Sequence, residues 1–243
     1  MKLPKPTDAI HRAYLNRLLS SIVDDPFLVQ VLRFKGGTYA AMRGLLDRFS
    51  VDLDFDLLEP DQNAEVQTHL EALFEKLGLT IQDKSLKVPQ YFLKYPNKTG
   101  ERNTLQLDVT FPAPASNAYE AVLLKDIDRI CYGHTIPTLF ANKLVAIIDR
   151  YDHYKSIAGR DFYDVHAFFT QGFRYKPEII EERTGLSTKV FFEKLKAFVN
   201  THLTQTLLDQ DLNVLLEPDS FHALRKFLKQ EVIQFIDDEL RSL

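Results

Sequence analysis

A single cysteine, Cys131, stands in a chain of 243 residues. One cysteine excludes an intramolecular disulfide framework and a cysteine-based zinc site, and a lone small apolar side chain is expected in the core. No run approaches the roughly 18 apolar residues of a membrane span, and Met1 to Pro6 lack the apolar heart of a signal peptide. The expectation is a cytoplasmic protein with no membrane partner. Lys and Arg total 30 against 34 Asp and Glu, a formal net charge of −4. No overall basic footprint favours nucleic acid, so a polyanionic partner has to use a local patch. The seven histidines show no spacing suited to metal ligation. Ser50 lacks the Gly-x-Ser-x-Gly context of a hydrolase nucleophile. Gly/Ser linkers, low-complexity stretches and internal repeats are also missing. With 45% hydrophobic and 26% charged residues, the chain supports a sizeable core in one or two domains.

What is present concentrates in residues 36–54 and the strand that they open. Val51, Leu53, Phe55 and Leu57 alternate with Asp52, Asp54 and Asp56, a period of two that predicts a half-buried strand. Residues two apart on one strand face lie about 6.5–7 Å apart. Asp52 and Asp54 can therefore converge on one ion or on a bridged pair. Their repulsion costs roughly several kcal/mol at a weakly screened site unless a cation offsets it. Oxygen-only ligands favour magnesium or manganese. A solvated outer face would explain an arbitrary run of this kind, but two features count against it. Aspartate is poor in strands, and Gly36-Gly37-Thr38 lies just upstream, after an apolar run at 27–32 that reads as a strand. Strand, Gly-Gly-Thr, short helix and acidic strand can bind a triphosphate. Glycine lets backbone N–H groups approach phosphate oxygens, and the helix adds its positive end.

Lys35-Gly36-Gly37-Thr38, followed by Arg48-Phe49-Ser50-Val51-Asp52-Leu53-Asp54-Phe55, resembles the signature of the AbiEii/AbiGii nucleotidyltransferase toxins. These belong to the DNA-polymerase-β-like nucleotidyltransferase superfamily. The resemblance runs on through Asp108 and Lys143 to Arg160-Asp161-Phe162-Tyr163-Asp164, covering roughly residues 30–170. It implies an enzyme that moves a nucleoside monophosphate from a nucleoside triphosphate to an acceptor hydroxyl, as the toxin of a bacterial or phage-defence toxin–antitoxin pair. A tRNA 3′ end is the acceptor it implies, and a cognate antitoxin the partner. Asp52, Asp54 and Asp108 become metal ligands, with Asp108 accepting a proton from the attacking hydroxyl or orienting it. Lys35, Gly36, Gly37, Thr38, Arg48 and Ser50 become nucleotide-binding residues, and Ser50 is also open to modification. Lys143, Arg150, Arg160 and Asp164 join the nucleotide site, and Ser50, Lys143 and Asp161 join the three aspartates in the catalytic set. Alone, Asp108 is a lone carboxylate on the polar face of a strand, and Arg160 to Asp164 an ordinary first helical turn whose acids suit the dipole.

The remainder fits an α+β fold, a nucleotidyltransferase-like mixed sheet with flanking helices followed by a helical C-terminal part. Helices are expected at 8–24 and 62–77, strands at 79–88, 90–95 and 104–111, and a change to helix after Pro112 and Pro114. Residues 1–130 are expected as the catalytic domain and 131–243 as a helical domain completing the nucleotide site. In the latter, Lys143 and Arg150 stand seven apart and share a helix face, and further helices are expected at 188–203 and 220–240. Arg33, Lys35, Arg43 and Arg48 near the glycines, and Lys94, Lys98 and Arg102 around a hairpin turn, are weak basic patches. Tyr91, Phe92 and Tyr95 interleave with the second, either as core or as a stacking surface for bases. Two other functions use similar residues: a non-catalytic nucleotide-sensing or partner-binding module of the same fold, and a metal-dependent nuclease. A nuclease needs no triphosphate cradle, so the Gly-Gly turn argues against it.

Overall fold

The structure, a computed structural model, describes residue 3, residues 5–85 and residues 87–243. Met1, Lys2 and Pro4 of the N-terminal reading, and Leu86 of the strand expected at 79–88, lie outside the described residues. The chain forms two compact units, Met1–Ala113 with Tyr119–His134, and Pro114–Ala118 with Thr135–Leu243.

The first unit runs α1 (Asp8–Asp24), α2 (Leu28–Val31), β1 (Leu32–Lys35), α3 (Gly36–Met42), β2 (Asp52–Leu57), a 3-10 turn (Pro60–Gln62) and α4 (Asn63–Lys76). It continues with β3 (Thr80–Lys84), β4 (Gln90–Lys94), β5 (Thr104–Thr110), β6 (Tyr119–Leu124) and β7 (Arg129–His134). These strands make one mixed sheet in the order β3-β4-β5-β2-β1-β7-β6. β2 pairs with β5, and β1 with β7, in parallel; the other neighbours are antiparallel. Alternation sorts the two faces. Phe34, Leu53, Phe55, Leu105, Leu107 and Leu93 are buried, and α1, with Leu15, Leu18, Leu19 and Ile22 buried at helical spacing, packs against β2, β5 and β7. Each such side chain contributes about 1.5–3 kcal/mol when fully buried. Lys35, Asp52, Asp54, Gln106 and Asp108 alternate with this core and are only half-buried.

Two segments of this unit differ in type from the sequence reading. The run at 27–32 does not form a strand throughout: Leu28–Val31 is a turn of helix, and β1 begins at Leu32. The cause is Asp25, whose Oδ1 accepts hydrogen bonds from the backbone N–H groups of Phe27 and Leu28, both at 2.9 Å, so the local cap overrides the apolar pattern. Residues 119–134, where the chain reads as already turning helical, instead form the hairpin β6–β7, with Asp128 in its connection at φ 51°.

The second unit is helical: α5 (Ile136–Tyr154), α6 (Gly159–Thr170), α7 (Pro177–Thr184), α8 (Thr188–His202), α9 (Gln205–Leu212), α10 (Pro218–Leu224) and α11 (Leu228–Ser242). Thr135 caps α5, accepting from the N–H of Thr138, with Pro137 in the opening turn. α5 packs on α6, α7 and α8, while α11 packs on α6 and α8. Phe140, Phe162, Phe168, Phe191 and Phe192 fill the core. The helix expected at 220–240 is broken into α10 and α11 around the exposed Phe227.

Candidate active site

The two glycines of the Lys-Gly-Gly-Thr turn interlock with two later parts of the chain. Gly36 adopts φ +78°, and a Cβ built there would lie 2.1 Å from Asp54 Oδ2. A Cβ on Gly37 would lie 2.5 Å from Arg48 Nη2 and 3.1 Å from Ser50 Oγ. Each glycine is thus the space that a side chain from β2 or its approach occupies. The buried Thr38 hydroxyl lies 2.9 Å from the Ser50 hydroxyl and 2.5 Å from the Asp52 carbonyl. Arg48 is buried as well, its Nη1 donating to the Phe49 carbonyl at 3.1 Å. Lys35 to Thr38 and Arg48 to Asp54 therefore pack as one body.

The register of the sheet builds a row of polar groups across the strands. Asp54 stands opposite Lys35 on β1 and Asp108 on β5, Asp108 stands opposite Gln90 on β4, and Asp52 stands opposite Gln106. Directly opposed residues share a face, so Asp52, Asp54 and Asp108 share one. Gln106 Nε2 donates to Asp108 Oδ2 at 2.6 Å, while Asp108 Oδ1 is buried without a hydrogen-bond partner among the described residues. Burial and the neighbouring Asp54 charge raise the pKa of Asp108, and the amides of Gln90 and Gln106 and the Lys35 charge offset this only in part. Such a carboxyl is short of positive charge. Among the described residues no three of His, Cys, Asp and Glu are gathered closely enough to hold a metal ion; the three aspartates share a face without being drawn together. The orphaned oxygen and the oxygen-only donor set nonetheless suit magnesium or manganese.

Asp56, next on the same face, behaves differently. It is wholly buried, with Lys35 Nζ donating to Oδ1 at 2.6 Å, and His134 Nε2 and the Tyr119 hydroxyl donating to Oδ2 at 2.7 and 3.0 Å. Burial alone would raise its pKa, but the His134 hydrogen bond and the Lys35 charge outweigh that and hold the carboxyl well below the usual range. Ligand spacing gives no hint of His134, because its partner lies 78 residues away. The signal in the sequence was Asp56 itself, since a third acid inside a strand needs donors if it is buried.

Within the second unit, Lys143 on α5 places Nζ 2.7 Å from Asp164 Oδ2 and 3.5 Å from Asp161 Oδ1. Arg150, two turns on, donates from Nε to Asp161 Oδ2 at 3.1 Å. Asp161 and Asp164 are 2% and 0% exposed, so two buried carboxylates meet two cations and join α5 to α6. Arg160 is half-buried in the first turn of α6. Around the hairpin turn, Lys94, Lys98 and Arg102 are exposed. Tyr91 and Tyr95 are core residues, each 1% exposed, and Phe92 alone of the three aromatics faces solvent. Phe92 stands opposite Gln106, which stands opposite Asp52.

The family model described as "Nucleotidyl transferase AbiEii toxin, Type IV TA system" matches residues 17–236. No curated protein sequence matches the chain. Among solved structures, JHP933 from Helicobacter pylori is 19% identical over 99% of this chain and 97% of its own, with a TM-score of 0.57. MenT4, a nucleotidyltransferase toxin from Mycobacterium tuberculosis H37Rv, is 18% identical over 96% of this chain and 84% of its own, with a TM-score of 0.55. At these identities the likeness shows a shared fold.

Proposed function

Because the chain belongs to the AbiEii family of nucleotidyltransferase toxins, and is by that membership a nucleotidyltransferase of toxin–antitoxin type, we propose that it transfers a nucleoside monophosphate from a nucleoside triphosphate to the hydroxyl at a tRNA 3′ end. The acceptor oxygen attacks the α-phosphorus. The bond from that phosphorus to the oxygen bridging to the β-phosphate breaks, and pyrophosphate leaves with the electron pair. Asp108 takes the acceptor proton or orients the hydroxyl. Asp52, Asp54 and Asp108 would hold magnesium or manganese, which when bound neutralises charge on the phosphates and on the entering and leaving oxygens. The Gly36-Gly37-Thr38 backbone, Lys35, Arg48 and Ser50 receive the triphosphate. Lys143, with Arg150, Arg160, Asp161 and Asp164, contributes the nucleotide contacts carried over from the family signature. Chemistry of this kind needs positioned charge rather than a covalent nucleophile.

The observation supporting this reading is the interlock of Gly36 with Asp54, one strand away from the unpartnered oxygen of Asp108. Incubation of the protein with each α-labelled triphosphate, bulk tRNA and magnesium or manganese tests it. Label is expected at the tRNA 3′ end with at least one triphosphate, and it is lost with chelator and in Asp54→Ala. No label from any triphosphate sinks the proposal, and label that survives chelation removes the metal from it.

A further inference from the structure

We propose that Asp56, His134 and Tyr119 are positioning residues that fix the Lys35 ammonium beside the Asp54–Asp108 pair, so that the third acid of the strand serves nucleotidyl transfer through Lys35 and not as a metal ligand. This rests on the reading of the first unit as the site of transfer. Both oxygens of Asp56 are already engaged. Oδ1 accepts from Lys35 and Oδ2 from His134 and Tyr119, so donors arrive from β1, β7 and β6. A carboxylate saturated in this way and wholly buried has little left to offer a metal. Lys35 is the residue immediately before the left-handed Gly36 and the direct cross-strand neighbour of Asp54. Its side chain is 20% exposed, with the ammonium at the edge of the buried network.

A lysine stem has four rotatable carbons and carries about 2 kcal/mol of rotamer entropy when free. Left unheld, it would sample many positions around the glycine turn. Held by Asp56, its ammonium is confined to one, on the face that carries Asp52, Asp54 and Asp108. A sheet interior filled with apolar side chains would be at least as stable as this charged cluster, so stability alone does not account for it. The partners of Asp56 are themselves anchored. The His134 carbonyl accepts from Arg43 at 3.0 Å, and Arg43 in turn pairs with Glu120 at 2.8 Å, which ties the β6–β7 hairpin to the segment after α3. The hairpin thus gains a role beyond edge closure, since it carries both His134 and Tyr119, which meet Asp56.

The test is a mutant cycle on the full-length protein, reading KM for the labelled triphosphate, kcat for transfer to bulk tRNA, and melting temperature. Lys35→Met and Asp56→Asn are each expected to raise KM at least tenfold while kcat falls less than threefold. The double variant is expected to be no worse than the worse single, because Asp56 acts through a lysine already removed. Tyr119→Phe deletes the hydrogen bond to Asp56 at nearly constant side-chain volume and covers the case in which Asp56→Asn does not fold. It is expected to raise KM two- to fourfold in the wild-type background and not at all in Lys35→Met. A purely structural role would lower the melting temperature without this dependence on Lys35. Effects that multiply across the cycle, or an unchanged KM in Asp56→Asn and Tyr119→Phe, overturn the proposal and leave the transfer reading intact. A wild type that binds none of the triphosphates overturns the transfer reading, and this proposal with it.

Discussion

Replacing Gly36 with alanine separates the turn's conformational demand from its role in seating Asp54. An alanine held at φ +78° pays a left-handed strain of about 1–2 kcal/mol, and Gly44 provides the control, having φ +77° with no atom of the other described residues beyond its chain neighbours within 4 Å of a built Cβ. Gly44→Ala is therefore expected to lose about 1–2 kcal/mol of stability and nothing else. At Gly36 the same strain is joined by an overlap at 2.1 Å from Asp54 Oδ2, 2.8 Å from its Cγ and 2.9 Å from its Cβ. Rotating the carboxylate clears the first two contacts but not the third, because Cβ moves only with the strand. The turn and β2 must part by several tenths of an ångström, an overpacking cost of about 1–3 kcal/mol on top of the strain. With Asp54 displaced from the row it shares with Asp108, transfer is expected to fall at least 100-fold, about 2.7 kcal/mol of activation free energy. Melting curves and labelled-triphosphate turnover, both taken well below the variant's midpoint, read the two effects, and manganese titration tests the proposed metal-binding role of Asp54. Turnover of Gly36→Ala within threefold of wild type, or an equal loss in Gly44→Ala, would refute the interlock.

Four further outcomes are expected. Asp108→Asn removes the buried charge and its repulsion with Asp54, the two causes that raise the Asp108 pKa, so it should melt at or above the wild-type temperature while losing transfer; a destabilised or fully active variant counts against a metal-binding role. Lys143→Ala strips a cation from Asp164 and Asp161, both almost fully buried, at a cost of about 3–5 kcal/mol in stability. Transfer should fall in the protein that remains folded, and unchanged melting together with unchanged turnover would reject both roles. His11, buried with Nε2 donating to the Val51 carbonyl at 2.9 Å, has its pKa lowered by desolvation from 6.5 to about 4. Because the unfolded chain protonates first, stability is full above pH 6.5 and should decline as pH falls toward 4, by up to about 3 kcal/mol; an equal decline in His11→Gln would assign it elsewhere. Charge reversal at Lys94, Lys98 and Arg102 together should weaken tRNA binding and flatten its salt dependence by somewhat under one unit per lost phosphate contact, with triphosphate binding preserved, and wild-type RNA binding at every salt concentration would remove the hairpin as an RNA platform.

The parts of the structure that local chemistry dictates were legible in the sequence, and the parts that depend on distant pairing were not. α1 coincides with its expected span, Asp8–Asp24, because its apolar spacing and the following Asp25-Pro26 act over a few residues. β5 is legible for the same reason, since Leu105, Leu107 and Val109 are buried between half-exposed neighbours. The β6–β7 hairpin escapes this logic. Leu123, Ile130 and Tyr132 lie exposed at 48–60% while Leu124 and Cys131 are buried, so both faces are apolar and no period of two emerges. Its connection also lacks glycine and proline, leaving Asp128 to adopt the positive φ. The same limit governs the site. Gly36, Gly37, Asp52 and Asp54 announce themselves through residue types with few other uses in these positions. The packing of Arg48 against Gly37 does not, because the contact exists only once α3 folds back on β2. Asp56 is the sharpest case. On sequence it is the third acid of the strand and has no assigned role, and only the strand order β2-β1-β7-β6 brings it the donors that set it apart from Asp52 and Asp54. Period and composition identify which residues are chemically unusual, and topology decides which of them meet.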